Sequence, residues 1–359
     1  MNKPLLFNIR KGLFACIAVS IAISACKKDE IEDEDEDPIE TTTPYNLVIP
    51  AGFPAMNIPI DNELTVEGVA LGRRLFYDPI LSSNNLVSCS SCHNQQMAFT
   101  DNGNQYSVGV DSIAGFRNSM PIMNLGWSPN FFWDGGATNL ESQAIAPITD
   151  PIEMHQTLDE TLAKLNSHAE YPTLFNKAFG SSIITSAALI RAIAQFERTV
   201  ISANSKYDKY VKGEVTLTAQ ESNGMAVYMD VNKGNCNSCH TLGGTFTDYE
   251  FRNNGLDLAS ADSGRARITL LETDRGKFKT PSLRNIEVSG PYMHDGRFNS
   301  LEQVVNHYNN GIQNHPNLSP ELASAVSGRM STQEIQDLIA FLNTFTDVSY
   351  LTNPAYGKP

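Results

Sequence analysis

One five-residue pattern occurs twice in the sequence, and it limits the possible folds more than any other feature. Residues 89–93 read CSSCH and residues 236–240 read CNSCH. Two thiols at this spacing add to the two vinyl groups of one porphyrin, and the following imidazole reaches the iron. Structural zinc sites also use Cys-x-x-Cys, but zinc ribbons place two such pairs within about 15–20 residues and need no His there. The pattern therefore predicts two covalently bound haem c groups, held by Cys89, Cys92, His93, Cys236, Cys239 and His240.

The first 25 residues are typical of a signal peptide. A basic start is followed by an apolar stretch, residues 12–22, that is too short to span a bilayer. The next residues, ISAC at 23–26, resemble a lipobox, in which Cys26 is lipidated and becomes the new N-terminus. The alternative is an ordinary secretory signal cut near Ala25. Residues 26–60 are then a lipidated acidic tether and lead-in, and we expect an exported periplasmic or cell-surface lipoprotein that touches the membrane only through its lipid.

Cysteine usage and net charge are consistent with an exported protein. Cys16 leaves with the signal, Cys26 takes the lipid and the other four cysteines hold haem, so none remains for a disulfide. The formal net charge of −14 argues against a nucleic-acid partner. It favours a basic redox partner such as a small cytochrome c or a copper protein.

Helical patterns predominate outside the motifs. A helix carrying Val66 and Leu75 should end at Pro79, and another should cover residues 185–201. Four further helix starts are predicted where Ser or Thr precedes Glu or Gln by three residues, at Thr157, Thr218, Ser300 and Ser331. Residues 204–213 are expected to be a linker. The sequence therefore predicts a mainly α protein with long loops and little strand. It should contain two cytochrome c-type haem domains packed together, at residues 61–205 and 206–359.

Several longer motifs surround the two haem motifs. They are LGRRLFYDP at 71–79, RNS at 117–119, FWDG at 132–135, PSLRN at 281–285 and PYMHDG at 291–296. Together they resemble the di-haem cytochrome c peroxidase family, which includes the MauG-type enzymes. The resemblance covers nearly all of residues 60–350. It implies reduction of hydrogen peroxide at the first haem and electron entry through the second.

The resemblance also implies three residues that act on substrate or carry electrons. Glu153 would move a proton between the peroxide oxygens, and Gln143 would assist it. Composition alone would favour surface positions for both side chains. Trp133, otherwise a core aromatic residue, would carry electrons or holes between the haems.

Two departures from the family pattern concern the iron ligands. Many relatives carry a His after the first haem motif that blocks the iron at rest, but here Val110 takes that place and no His occurs between His93 and His155. We therefore expect the first haem to be open without reductive activation. At the second haem, Tyr308 takes the place of the usual Met, as in MauG-type enzymes. His307 and Met293 are competing ligands.

A calcium ion between the domains is the last implied group. Asn118 matches its side-chain ligand, while Ser289 and Pro291 match its carbonyl ligands. His294 lies in the same stretch, and it is either a residue for electron transfer or propionate binding or a structural His.

Three functions remain open from the sequence. The first is a cytochrome c peroxidase-type oxidoreductase that reduces hydrogen peroxide with electrons from an external donor. The second is a MauG-like oxidase that modifies a protein or organic substrate through a high-valent iron state. The third is a non-catalytic di-haem electron-transfer lipoprotein, which needs neither Glu153 nor an open iron.

Overall fold

Side-chain caps set the starts of the main helices. Thr65, Thr157, Thr218 and Ser331 each accept a hydrogen bond from a main-chain N–H of the first helical turn. At three of these positions a Glu returns the bond to the cap, as the sequence predicted. The predicted helix ends before Pro79, because Asp78 leaves the helical conformation and caps the short turn that follows.

The computed structural model describes residues 42–323 and 328–359. The predicted signal peptide, Cys16, Cys26 and the acidic run lie outside these residues. Within them, no helix has the length and apolar character needed to cross a membrane.

Helices predominate in both halves, as predicted, and the names first half and second half refer below to residues 61–205 and 206–359. The first half contains α1 (Val66–Tyr77), α2 (Cys89–Cys92), α3 (Leu140–Gln143), α4 (Ile145–Thr149), α5 (Leu158–Ser167), α6 (Tyr171–Phe179) and α7 (Ser186–Thr199). The second contains α8 (Lys206–Val211), α9 (Ala219–Met229), α10 (Ala266–Thr269), α11 (Leu301–Asn306), α12 (Pro320–Ala323), α13 (Thr332–Asn343) and α14 (Val348–Leu351). Two short antiparallel strands, β1 (Phe251–Arg252) and β2 (Phe278–Lys279), belong to the second half.

The same close helix crossing occurs in both halves. A Cβ atom at Gly72 of α1 would lie 1.9 Å from the carbonyl oxygen of Ala192 on α7. A Cβ atom at Gly224 of α9 would lie 1.9 Å from the carbonyl oxygen of Asp337 on α13. Only glycine permits this backbone contact, so each pair of helices crosses with its backbones in direct contact.

The crossings organise two aromatic clusters next to the haem motifs. In the first half, Phe76 of α1 and Phe196 of α7 pack with Phe99, and Cys89 lies against this cluster. In the second half, Cys236 lies against the cluster that contains Phe341 and Phe345. Each first cysteine of a motif is therefore held against the core of its own half.

Buried polar contacts join the chain after α7 to the end of the second half. Asp347 is 2% exposed, and its carboxylate accepts hydrogen bonds from the main-chain N–H groups of Ala203 and Asn204. Asn285, fully buried, donates to the hydroxyl of Ser202 and accepts from the N–H of Asp347. The connection between the halves is thus fixed by hydrogen bonds.

The far C-terminal residues return to the first half. The Arg73 guanidinium donates to the carbonyl oxygens of Gly357 and Pro354, at 2.7 and 2.6 Å. The Gln95 amide, just after the first haem motif, donates to the carbonyls of Tyr350 and Asn353. This C-terminal strap, residues 350–357, therefore packs beside the first haem motif.

Two features differ from the sequence-based expectations. Residues 204–213 are not merely a linker, because α8 forms there with a capping box between Ser205 and Asp208. The helix that begins at Ser300 changes to a π-helical turn at His307–Gly311. Tyr308 therefore lies in the π-helical turn, beyond the α-helix that carries Leu301 and Val305.

Replacement of Gly72 or Gly224 by Ala should destabilise the protein by about 3 kcal/mol, because the new methyl group collides with backbone that cannot move independently. Urea unfolding of the haem-loaded protein measures this loss. Gly115→Ala is the matched control, since its nearest atom would be 3.7 Å away. Equal stability of the Gly72 and Gly115 variants would contradict the close crossing.

Candidate haem centres and the junction between them

The first haem motif folds as the short helix α2, and its histidine presents one ring nitrogen for iron. His93 follows α2, and its Nδ1 lies 2.7 Å from the carbonyl oxygen of Phe99. That bond leaves Nε2 as the nitrogen available to a metal. Burial lowers the pKa of His93, which favours the neutral form that a metal ligand requires.

The second motif has a different local structure but the same ring arrangement. Residues Cys236–Ser238 form a 3-10 turn, and Nδ1 of His240 lies 3.0 Å from the carbonyl oxygen of Pro281. Burial lowers the pKa of His240 to about 4. None of the four motif cysteines forms a disulfide, so each sulfur atom is available to a haem vinyl group. The residues of both motifs therefore fit a covalently bound haem c.

Glu153 lies beside the first motif. Its carboxylate is close enough to contribute, after burial, to the raised pKa of both Cys89 and Cys92. Glu153 is exposed as a residue, yet desolvation of its carboxyl group by the surrounding protein raises its pKa to about 7, with a further contribution from Asp150. A carboxyl group that titrates near neutral pH is suited to general acid–base chemistry.

Val110 is hydrogen-bonded to the main chain of Glu153. The Val110 N–H donates to the carbonyl oxygen of Glu153 at 2.8 Å, and the Glu153 N–H donates to Asp150 at 3.0 Å. The loop that carries Val110 is thus attached to the segment that carries Glu153. Val110 is half-buried and provides no ligand atom.

Gln143 is the last residue of α3 and is half-buried. An Asn139 cap and a pair of hydrogen bonds from Arg198 to Glu141, at 2.6 and 3.0 Å, fix this short helix. The side-chain amide of Gln143 has no hydrogen-bond partner among residues 42–323 and 328–359. It is therefore free to bind a ligand.

Trp133 lies at the junction of the two halves. Its indole N–H donates to the carbonyl oxygen of Asn118 at 2.9 Å, and its own carbonyl accepts from the N–H of Lys279 at 2.7 Å. The next residue, Asp134, is fully buried and pairs with Arg117 and Arg267. Trp133 is therefore fixed by main-chain contacts from both halves.

The candidate ligands of the second haem share one neighbour. The Asn254 amide lies 3.4 Å from Met293 Sδ and 3.4 Å from the Tyr308 hydroxyl. Tyr308 is also near both cysteines of the second motif, which contribute, after burial, to a pKa of about 12. His307 is different, because its Nε2 lies 3.1 Å from the carbonyl oxygen of Asn254 and its ring is buried. The structure thus places Met293 and Tyr308 at the side-chain amide of Asn254, whereas His307 bonds to its main-chain carbonyl oxygen.

Asn118, the predicted side-chain ligand of calcium, is bonded to the segment that follows Pro291. The Asn118 amide nitrogen donates to the carbonyls of Asn104 and Gln105, which leaves its oxygen for a cation. Its main-chain N–H donates to the His294 carbonyl at 2.8 Å, three residues beyond Pro291. Asn118 makes no hydrogen bond to Ser289 or Pro291. His294 itself stacks on Phe278, with ring centroids 3.7 Å apart.

Three polar residues in this region were not predicted from the sequence. Glu197 of α7 is 4% exposed, one of its carboxyl oxygens has no hydrogen-bond partner in the described chain, and burial raises its pKa to about 8. Its position between Ile193 and Val200 on the apolar face of α7 could have revealed it. Lys279 and Asn254 gave no comparable signal, because both owe their surroundings to distant parts of the chain.

Comparison with known proteins agrees with this arrangement. Residues 66–216 match the di-haem cytochrome c peroxidase family, and residues 221–346 match the cytochrome c family. The chain is 40% identical over 290 residues to the methylamine utilization protein MauG of Methylorubrum extorquens, covering 80% of both chains. It is 34% identical to the cytochrome c551 peroxidase of Nitrosomonas europaea, covering 82% of this chain and 86% of that protein.

A solved structure shows the same fold over most of the chain. It is a MauG-like protein associated with microbial copper homeostasis, with 37% sequence identity and a TM-score of 0.80. The match covers 88% of this chain and 99% of that one. With its two haem c motifs, its paired helical halves and these relatives, the chain belongs to the di-haem cytochrome c peroxidase family of oxidoreductases.

Proposed function

We propose that the protein reduces hydrogen peroxide to water at the haem held by Cys89, Cys92 and His93. One peroxide consumes two electrons and two protons and gives two water molecules. The haem, when bound, supplies the redox chemistry, and His93 holds its iron through Nε2. The position of Glu153 beside both cysteines of this motif is the observation that carries the proposal.

Glu153 and Gln143 have different roles toward the peroxide. The ionised Glu153 takes a proton from one peroxide oxygen and returns it to the other, which then leaves as water. Its pKa of about 7 makes both directions of transfer accessible near neutral pH. The Gln143 amide offers a hydrogen bond that orients the peroxide. Val110 leaves space for the substrate where a His would compete with it.

Electrons come from an external protein and pass through the second half. Trp133 connects the halves through hydrogen bonds to Asn118 and Lys279, and an oxidisable indole there suits electron transfer. The net charge of −14 favours a basic donor, a small cytochrome c or a copper protein. We further propose export through the signal peptide with a lipid on Cys26, and calcium bound by Asn118 with the carbonyls of Ser289 and Pro291.

A MauG-like oxidase is the second candidate, and the surroundings of Tyr308 favour it. A tyrosine oxygen as the far ligand of the second haem would stabilise oxidised iron, and the Asn254 amide is placed to donate to that oxygen. The two functions differ in their products. A peroxidase oxidises two equivalents of a one-electron donor per peroxide rapidly, whereas an oxidase turns over such donors slowly and modifies an organic or protein substrate.

Glu153→Gln should lower the rate of peroxide reduction by about 10²–10⁴-fold, because the amide cannot accept the proton. The wild-type rate should rise as the pH increases through about 7, since Glu153 must be ionised to act as base. Stopped-flow oxidation of a reduced small cytochrome measures both effects. Glu63→Gln, at an exposed position, is the matched control and should keep the wild-type rate and pH profile. A Glu153 variant with the wild-type pH profile would contradict this role.

The oxidised wild-type protein should show a high-spin ferric EPR signal from an open first haem. Val110→His should replace it with a low-spin signal and make the peroxide reaction depend on prior reduction, because an imidazole then occupies the iron. Val108→His, two residues away and 52% exposed, should leave the high-spin signal intact. A purely low-spin wild-type spectrum would refute the open site.

Tyr308→Phe should raise the reduction potential of the second haem and change its low-spin EPR signal, because an anionic oxygen ligand is lost. Met293→Leu removes the neighbouring sulfur and is the matched comparison. Spectroelectrochemical titration measures the potentials. If Met293→Leu changes the second haem and Tyr308→Phe does not, the sulfur is the ligand and the oxidase candidate loses its main support.

A further inference from the structure

Lys279, the last residue of β2, is a buried cation without an acidic partner. Only 5% of the residue is exposed. Its ammonium group donates to the carbonyl oxygen of Asn130 at 2.6 Å and lies 3.4 Å from the hydroxyl of Ser128. The Phe131 ring centroid is 5.8 Å away. All of these groups are neutral, and no carboxylate of the described residues lies within 4.0 Å.

The other deeply buried cations are paired. Arg284, fully buried, makes two hydrogen bonds to Asp208 at 2.8 and 2.9 Å. Arg198, 4% exposed, does the same with Glu141. An unpaired charge removed from water costs several kcal/mol, and burial alone lowers the pKa of Lys279 to about 8. The described residues therefore provide no counter-ion for the Lys279 ammonium group, and an anion can bind there.

The position of Lys279 indicates the source of that anion. Its main-chain N–H bonds the carbonyl of Trp133, and two residues later Pro281 accepts the hydrogen bond of the iron-ligand ring of His240. Lys279 thus lies between the junction tryptophan and the orienting group of the second haem. Each haem c carries two propionate carboxylates, so the two haem motifs bring four anions that the amino-acid sequence does not contain.

We propose that Lys279 is a carboxylate-binding site that pairs with a haem propionate at the junction of the two halves. The pairing gives the ammonium its missing counter-ion and fixes the haem edge beside Trp133. The positive charge of the ammonium group favours the reduced form of that haem, because reduction adds one negative charge. This inference depends on the two bound haems and not on the substrate of the enzyme, so it stands or fails separately from peroxide reduction.

Lys279→Gln tests the proposal in the haem-loaded protein, because glutamine keeps a donor for Asn130 and removes the charge. The equilibrium constant for reduction of the paired haem should fall about tenfold, which for one electron is about 59 mV. Spectroelectrochemical titration measures the reduction potentials of both haems. The haem whose potential shifts is the one whose propionate pairs with Lys279. Lys279→Arg should retain the wild-type potential. Lys212→Gln, an exposed lysine of the second half, is the control for net charge and should shift neither haem.

Equal potentials in the Lys279→Gln and Lys212→Gln variants would overturn the proposal. A crystal structure of the wild-type holoprotein gives a second test that does not require the variant to fold. It should place Nζ of Lys279 within about 3.2 Å of a propionate oxygen. An ammonium group that contacts no propionate there would overturn the proposal equally.

Discussion

Direct backbone contact at two glycines is the constraint on which the rest of the structure depends. The contact between Gly72 and Ala192, and its counterpart between Gly224 and Asp337, set the distance between the two main helices of each half. Those helices supply the aromatic clusters that receive Cys89 and Cys236. Each haem motif is therefore held against a packed core, and differences between the halves arise from the loops around it.

The two halves share the same pair of crossing helices but differ in the loops around their haem motifs. In the first half, the segment that carries Glu153 is hydrogen-bonded to the loop of Val110, so the two residues to which we assign peroxide chemistry are fixed relative to each other. In the second half, Tyr308 and Met293 lie near one amide of Asn254. Between them, Trp133 is held by main-chain bonds from both sides. In the proposed function, substrate chemistry and electron storage thus belong to different halves, which Trp133 connects through its hydrogen bonds.

Local chemistry explains what could be predicted from the sequence. The Cys-x-x-Cys-His spacing and capping boxes such as Thr157 with Glu160 act over a few residues, so pattern alone identifies them. The π-helical turn at Tyr308 could not be predicted this way. Arg329 donates to the Tyr308 carbonyl, and Asn309 exchanges two hydrogen bonds with Met330, so residues 21 positions away determine the turn. Lys279 is similar, because the oxygens around it come from residues 128–130.

The C-terminal strap has a consequence for how the chain matures. Its bonds to Arg73 and Gln95 complete the first half with residues that lie 255 to 284 positions further along the chain. An N-terminal fragment that contains the whole of residues 61–205 still lacks these contacts. The first half therefore reaches its final packing only when residues 350–357 dock on it.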